Sequence, residues 1–228
     1  QTVCKNQTGN NQITYAKANG ANWNIDEYAV RRLIQYLLIL MGKSLNTQTI
    51  FGNGVTSGAE AGQVITGTLN DKGMFWGSNG TTSAVKVFHM ENLWGNNWKI
   101  TNGLIAINGR LKYKMCEGQY DGSTTDDYNT NGSGYIDSGV TLSGTSGSFI
   151  KDTNLVPGLG IVPSVISGSD STYYCDGTWF NASQAAGFAR FGGASDHGSR
   201  CGVFFLGVGG AVGCSAWTFG AALSYKAS

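Results

Sequence analysis

The stretch from Gly187 to Tyr225, GFARFGGASDHGSRCGVFFLGVGGAVGCSAWTFGAALSY, limits most sharply what this chain can become. A glycine inside a helix costs about 1 kcal/mol relative to alanine, so a segment this rich in glycine does not form one. It is also too regular for a linker. Apolar and aromatic residues recur through it, and it closes on Trp217, Phe219 and the run Gly220-Ala221-Ala222-Leu223-Ser224. The pattern predicts the last strands of a small domain, joined by loops with chemically varied side chains. Recognition is expected there.

Composition supports a β-rich fold. With 228 residues the chain is one large domain, or one domain with a sizeable insertion, and can bury a real core. The apolar fraction of 41% argues against disorder. Charged residues make up only 13%, well below the roughly 25% of an average soluble domain. The net charge is +1, and Lys and Arg never run longer than two, so the basic footprint of a nucleic-acid binder is missing. Low charge with 35 glycines and abundant Ser, Thr and Asn fits a turn-rich β protein. No segment reaches the ~18 apolar residues of a membrane span; Leu33 to Met41 comes nearest. No signal peptide is evident, and a start at Gln1 fits processing or truncation. The five cysteines, Cys4, Cys116, Cys175, Cys201 and Cys214, contain no CxxC and do not resemble a zinc site. One or two disulfides are open to them in an oxidising setting, and Cys201 and Cys214 read as unpaired.

Along the chain, residues 1–22 read as an N-terminal arm or a first strand at Gln12 to Ala16. A helix is expected over 24–41. Asn24 and Glu27 have capping-box spacing, and Asp26 adds first-turn negative charge. Val30, Leu33, Ile34, Leu37 and Met41 predict one buried stripe, widened by Leu38 and Leu40, with Arg31 and Arg32 facing solvent. Residues 46–62 read as loop. Ala84 to Met90 reads as a strand with His89 embedded in it. Asn108-Gly109 and Asp176-Gly177 predict hairpin turns. Residues 117–170 read as a loop insertion or a small protruding β insertion, anchored by Tyr128, Tyr135, Ile136, Val140 and Leu142. Pro157 and Pro163 suggest loop or edge strand.

The residues give little support to catalysis. There are two histidines, His89 and His197, and no nucleophile elbow, phosphate-binding loop or HExxH pattern. Asp121, Asp126 and Asp127 have oxygen chemistry suited to calcium, but their spacing is not that of an EF-hand and a solvated loop is the plainer reading. No other cofactor is expected. Within Phe191 to Cys214, Lys, Glu, Gln, Met and Trp are all missing. Glycine-rich β segments often lack long polar side chains, which is the bland explanation.

Phe88 to Trp98, FHMENLWGNNW, resembles the central DMxGNVWEW signature of a known family through Met90, Trp94, Gly95, Asn96 and Trp98. Ala189 to Ser224 resembles that family's closing RGGSW…GFRL part through Arg190, Gly192, Gly193, Trp217 and Gly220 to Ser224. The chain is thereby similar to the C-type-lectin fold in its formylglycine-generating-enzyme-like form, as used by variable proteins of diversity-generating retroelements. Tail and host-tropism proteins of gut phages are the nearest kind. Asn97-Trp98 departs from the signature by lacking its Glu.

The resemblance implies an α+β, C-type-lectin-like domain over 23–228, with few helices, a small central antiparallel sheet and long Gly/Ser/Asn-rich loops. It implies a variable region over 190–219. Asparagine codons randomised at their first two bases cannot yield Lys, Glu, Gln, Met or Trp, which are five of the ten residue types missing from Phe191 to Cys214. By that logic Phe191, Ala194, Asp196, His197, Arg200, Cys201, Phe205, Gly207, Gly209, Gly210, Gly213, Cys214, Thr218 and Phe219 are the candidate diversified, ligand-binding positions. Phe191, Phe205 and Phe219 would be apolar anchors; Asp196, His197 and Arg200 would give polar specificity. Met90, Trp94, Gly95, Asn96, Trp98, Arg190, Gly193, Trp217 and Gly220 would be invariant scaffold. The implied partner is a protein or glycan on a cell surface, bound by a homo-oligomer, a trimer by family habit, on a virion. No nucleic acid and no membrane insertion are implied. The reactive cysteine pair and metal site of the family's sulfatase-activating enzymes do not map onto Cys201 and Cys214, so no enzyme activity is expected. A virion decoration protein without variable recognition is the alternative, and a copper or iron formylglycine-type enzyme a more distant one.

Overall fold

Glycine punctuation and short apolar runs produce mostly sheet. A computed structural model describes residues 5–114, 132–211 and 213–225. The fold is α+β, with few helices around a curled sheet. Helix α1 (Gly9–Lys17), strand β1 (Trp23–Ile25), helix α2 (Tyr28–Gly42) and the short α3 (Thr47–Phe51) come first. After a long irregular segment come the small hairpin β2 (Lys86–Val87) and β3 (Met90–Glu91), then β4 (Trp98–Ile107) and β5 (Arg110–Tyr113). Residues 136–168 supply β6 (Ile136–Thr141), β7 (Ser143–Gly144), β8 (Phe149–Val156) and β9 (Gly160–Gly168). The chain closes with β10 (Thr178–Trp179), β11 (Gly187–Gly192), β12 (Gly202–Gly207), β13 (Phe219–Gly220) and β14 (Leu223–Tyr225).

Strand β4 is the axis. It is buried along nearly its whole length, which only a strand covered on both faces can be. The main sheet runs β10-β12-β11-β4-β5-β6. One edge of β4 is shared: β13 pairs in parallel at Trp98 and Lys99, and β5 pairs antiparallel from Leu104 to Ile107. Gly103, at φ +88°, lies between the two. Leu104 and Ala106 belong to one core cluster, with Tyr28, Tyr113, Phe191 and Leu206. Trp98, Ile100 and Ile105 belong to another, with Ile13, Ile25, Phe188, Phe205 and Phe219. β8 and β9 form a separate sheet with β7, and β1 pairs antiparallel with β14.

Several expectations hold. Asn108 and Gly109 both have positive φ and turn β4 into β5 as a two-residue hairpin. Phe88 and Trp94 pack in one cluster with Ile34 and Leu38 of α2, whereas Trp98 lies in the cluster with Ile100 and Phe205. Val140 and Leu142 are core residues. Pro163 sits in β9 where only β8 pairs with it, a local edge.

Others are corrected. Residues 12–16 are not a strand but part of α1, capped by the Thr8 hydroxyl accepting from the Asn11 amide. Residues 47–51 are helical rather than loop. Residues 84–90 turn back at Phe88-His89, both at positive φ, which leaves His89 exposed at the turn. Asp176-Gly177 makes no hairpin. Asp176 is buried, and its Oδ2 accepts from the Phe204 amide at 2.7 Å. A Cβ at Gly202 would lie 2.0 Å from the Asp176 carboxylate, so glycine is required there. Tyr128 lies outside the described residues, and Ile136 is exposed.

The largest correction concerns α2, which begins at Tyr28 with no side-chain cap. Its inner face is Tyr28, Arg31, Ile34, Gln35 and Leu38, while Val30, Leu33, Leu37, Leu40 and Met41 are exposed. Distant partners explain the inversion. The fully buried Arg31 guanidinium donates to Asp26 Oδ2 through Nε at 2.8 Å and through Nη2, and to the Leu93 carbonyl at 3.2 Å. Gln35 Nε2 donates to the Val203 carbonyl at 3.0 Å. Removing one partner of a buried pair costs about 3–5 kcal/mol. In urea unfolding, Asp26→Ala is expected to destabilise by about that amount. Leu40→Ser is expected to stay within about 0.5 kcal/mol of wild type.

Candidate functional site

The site is built on the turn from Asn92 to Trp98. Asn92, Gly95 and Asn96 take positive φ of 55°, 68° and 61°. At Gly95 a Cβ would stand 2.6 Å from the Val55 carbonyl oxygen, so no other residue fits. Trp94 is buried, and its indole donates to the Gly52 carbonyl at 3.0 Å. The Asn96 amide pairs with both backbone groups of Val64, accepting at 2.8 Å and donating at 2.9 Å. The turn then grips the segment after β11. Gly95 N–H donates to the Gly192 carbonyl at 2.9 Å, and Ser195 N–H donates to the Asn96 carbonyl at 3.1 Å.

From that anchor the loop 193–201 swings over the Trp98 ring. His197 stands edge-on to Trp98 and Phe205, with ring centroids 5.2 and 5.4 Å away. Asp196, His197, Gly198, Ser199 and Arg200 form one wall of an open cleft of about 560 Å³, and Thr145 to Phe149 form the other. Arg200 ties the walls together. Its Nη1 donates to the Gly147 carbonyl at 2.9 Å and its Nε to the His197 carbonyl at 3.3 Å.

His197 Nδ1 lies 2.8 Å from Asp196 Oδ1 and 3.3 Å from the Ala194 amide nitrogen. One nitrogen cannot donate to the first and accept from the second. The shorter contact decides, because two lone pairs at that distance would repel; the proton sits on Nδ1 and Nε2 is left as an acceptor. Burial is the main influence holding the imidazole below its ordinary value; Asp196 opposes it, and Arg200 and Arg190 reinforce it. The cleft therefore presents a carboxylate, a neutral imidazole and a guanidinium over an aromatic floor.

The expected ligand-binding residues separate into three groups. Asp196, His197 and Arg200 meet in the cleft. Gly209, Gly210, Gly213, Cys214 and Thr218 lie on the following loop, at least partly exposed but outside the cleft. Phe191, Ala194, Cys201, Phe205 and Phe219 are buried in the two clusters flanking β4, and Gly207 is buried in β12. These last six are corrected from surface to core. Their apolar side chains, or lack of one, close the sheet around β4 and face no solvent. Cys201 donates its thiol to the Ala194 carbonyl at 3.3 Å, and burial pushes the thiol up, so it is a core residue rather than a chance product of surface variation. Cys175, Cys201 and Cys214 are free thiols.

Trp94, Gly95, Asn96, Trp98, Gly193 and Gly220 are buried. Met90 and Trp217 are half-buried, and the Trp217 carbonyl accepts from Asn97 Nδ2 at 3.0 Å. Arg190 lies 4.3 Å from the Phe219 ring centroid, 5.2 Å from Trp98 and 5.6 Å from Phe188, and burial holds it down to about 10. Sequence reasoning missed Ser199 and the opposing wall Thr145 to Phe149; their Thr-Ser-Gly-Ser signal says loop, not which loop they face. Asp121, Asp126 and Asp127 lie outside the described residues. Among the described residues no cluster of His, Cys, Asp or Glu has metal-site composition, and no helix is long and apolar enough to cross a membrane.

No protein-family model matches the chain, and no curated protein is similar to it.

The electrostatics of the cleft are testable by NMR titration. His197 is expected to titrate below 6.5. Asp196→Asn removes the group that favours the imidazolium and is expected to lower the midpoint further, while Arg200→Met is expected to raise it. A midpoint at or above 6.5 in wild type contradicts the assigned environment.

Proposed function

We propose that the chain is a receptor-binding module on a C-type-lectin-like scaffold, diversified by a retroelement and displayed on a phage tail or similar appendage. The observation that carries the reading is the meeting of Asp196, His197 and Arg200 in one open cleft above a buried aromatic floor. Arginine with adjoining aromatics is the composition that concentrates binding energy at interfaces. The lectin-like form is supported by the antiparallel pairing of β1 with β14, which brings residues 23–25 against residues 223–225, and by the position of β13 beside the Trp98 end of β4. Diversification is supported by the absence of Lys, Glu, Gln, Met and Trp between Phe191 and Cys214, the five types that randomised asparagine codons cannot yield. Burial narrows it: variation is tolerable at Asp196, His197, Ser199, Arg200, Gly213 and Cys214 but not at Phe191, Cys201 or Phe205.

The role is binding rather than catalysis. The buried Cys201 thiol is held protonated, where a nucleophile needs its thiolate. Assembly is supported by α2, whose exposed Val30, Leu33, Leu37 and Leu40 follow the three-four spacing of a helix-pairing seam that a second copy would cover. Several copies then compensate for modest affinity at each cleft.

The test is binding of the fluorescently labelled chain to a panel of intact gut bacteria. Wild type is expected to bind a subset of strains. Asp196→Lys and Arg200→Glu are expected to lower binding by roughly tenfold or more, the scale of a lost interface anchor. Leu40→Glu is expected to weaken binding by loss of avidity while leaving the cleft intact. If no strain is bound, or the cleft variants bind as wild type does, the decoration-protein reading takes over.

A further inference from the structure

We infer that α2 packs against α2 of a second copy of this chain, antiparallel about a two-fold axis, so that the chain assembles as a dimer rather than a trimer. The inference rests on the reading that a second copy covers α2, and adds the symmetry and the register; it does not depend on what the cleft at Asp196 to Arg200 binds.

The exposed residues of α2 are Val30, Leu33, Leu37, Leu40 and Met41, at 42, 58, 37, 72 and 51% exposure. No polar residue of the helix is among them. A helix that is apolar on its outer face as well as its inner one is covered on both sides. A standard interface buries about 800 Å² on each partner, and a fifteen-residue helix supplies only part of that. Its flanks extend the surface. A Cβ at Gly42 would stand 3.2 Å from the Ile50 side chain, and Ile50 is 47% exposed. On β9 the Ile161 amide donates to the Tyr36 hydroxyl of α2 at 2.9 Å, and Leu155, opposite Ile161 on β8, is 77% exposed.

The spacing selects the partner and its direction. Val30, Leu33, Leu37 and Leu40 are three, four and three residues apart, the interval of a helix-pairing seam, and that series is unchanged when read backwards. An antiparallel copy, with the axis level with residue 35, therefore sets Val30 opposite Leu40 and Leu33 opposite Leu37, apolar on apolar in every layer. The seam holds no charge that would select a charged partner. Arg32 lies beside it, and its guanidinium donates to the Gly158 carbonyl. The ends agree with the same direction. Glu27 precedes the helix and the exposed Lys43 follows it, so the antiparallel pair sets the acidic end of one copy against the basic end of the other and opposes the two helix dipoles. A parallel pair or trimer would gather Lys43 of every copy at one end and align the dipoles. A two-fold axis also uses one self-complementary patch and leaves none of it open.

The test uses the full chain in sedimentation velocity and in disulfide trapping. Wild type is expected to sediment as a monomer–dimer equilibrium with no trimer. Leu33→Glu combined with Leu40→Glu, both at exposed positions, is expected to raise the dissociation constant by roughly a hundredfold or more, because the dimer would bury carboxylates in an apolar seam; circular dichroism checks that the fold is kept. For the register, Val30→Cys and Leu40→Cys chains are oxidised separately and mixed, and linked peptides are identified by mass spectrometry. A 30–40 link is expected in the mixture only, since in either variant alone the two introduced thiols lie about 15 Å apart along the helix axis, beyond the roughly 7 Å between Cα atoms that a disulfide spans. The proposal is overturned if 30–30 or 40–40 links form instead, if a trimer sediments, or if the folded double variant associates as wild type does. A parallel or trimeric assembly through α2 would overturn the symmetry alone. A chain still monomeric at about 100 μM, where a complex of micromolar affinity is formed, would overturn the covering of α2 by a second copy as well. Sedimentation of such a monomer with phosphatidylcholine vesicles would assign the face to lipid and equally overturn the proposal. None of these outcomes moves the response of the cleft to Asp196→Lys.

Discussion

The cleft at Asp196 to Arg200 hangs on the close approach of Gly95 to the Val55 carbonyl. Only glycine permits that approach, and the positive φ of Asn92, Gly95 and Asn96 winds the backbone tightly enough to bring Trp94 and Trp98 into the core on either side of it. The turn starts β4, and β4 carries β5, β11 and β13. The same turn holds the loop after β11 through the Gly95 and Ser195 amides and places the Trp98 ring beneath His197. Asn92 and Asn97 of the turn, with Lys99 just beyond it, also line a second cleft between α1 and residues 220–223. One constraint of backbone geometry thus positions two chemically different surfaces.

The consequence is a division between what the fold needs and what it can release. β11 and β12 are buried along their lengths apart from a half-buried Arg190, so Phe191, Cys201 and Phe205 close the core. The cleft residues Asp196 to Arg200 lie between those strands and are wholly or partly exposed. Arg200 bridges to Gly147, so the cleft's two walls move together if they move at all. A preorganised loop of this kind loses little conformational freedom on binding, which favours affinity without added area.

How far the sequence shows this depends on the range of the interaction. The Phe88–Trp98 motif and the Asn108-Gly109 turn are local, and both are readable from the chain itself. The buried face of α2 is not, because Arg31 and Gln35 are buried only by virtue of Asp26, Leu93 and Val203. Periodicity sees five exposed apolar residues and assigns them inward. α1 is polar enough to pass for an arm, and its burial of Ile13 and Ala16 depends on the closing strands. Asp196, His197 and Arg200 were legible as chemistry in a glycine-rich loop. Their cleft was not, since its other wall comes from about fifty residues earlier and is reached by a bond from Arg200 to Gly147 that spans 53 positions. The same distance problem hid the burial of Phe191, Phe205 and Phe219, whose types suit an interface as well as a core.

The central claim is that a rigid turn holds the exposed loop at residues 195–200 in place. Amide hydrogen exchange followed residue by residue tests it most directly. The account predicts slow exchange at Gly95, Asn96 and Ser195, and at Gly198, whose amide donates to the Thr56 carbonyl at 2.9 Å although the residue lies in the loop. Asp196 and Ser199, exposed in the same loop, are predicted to exchange much faster. Exchange at Gly95, Ser195 and Gly198 as fast as at Asp196 and Ser199 would contradict the account, because the loop would then be free of the turn.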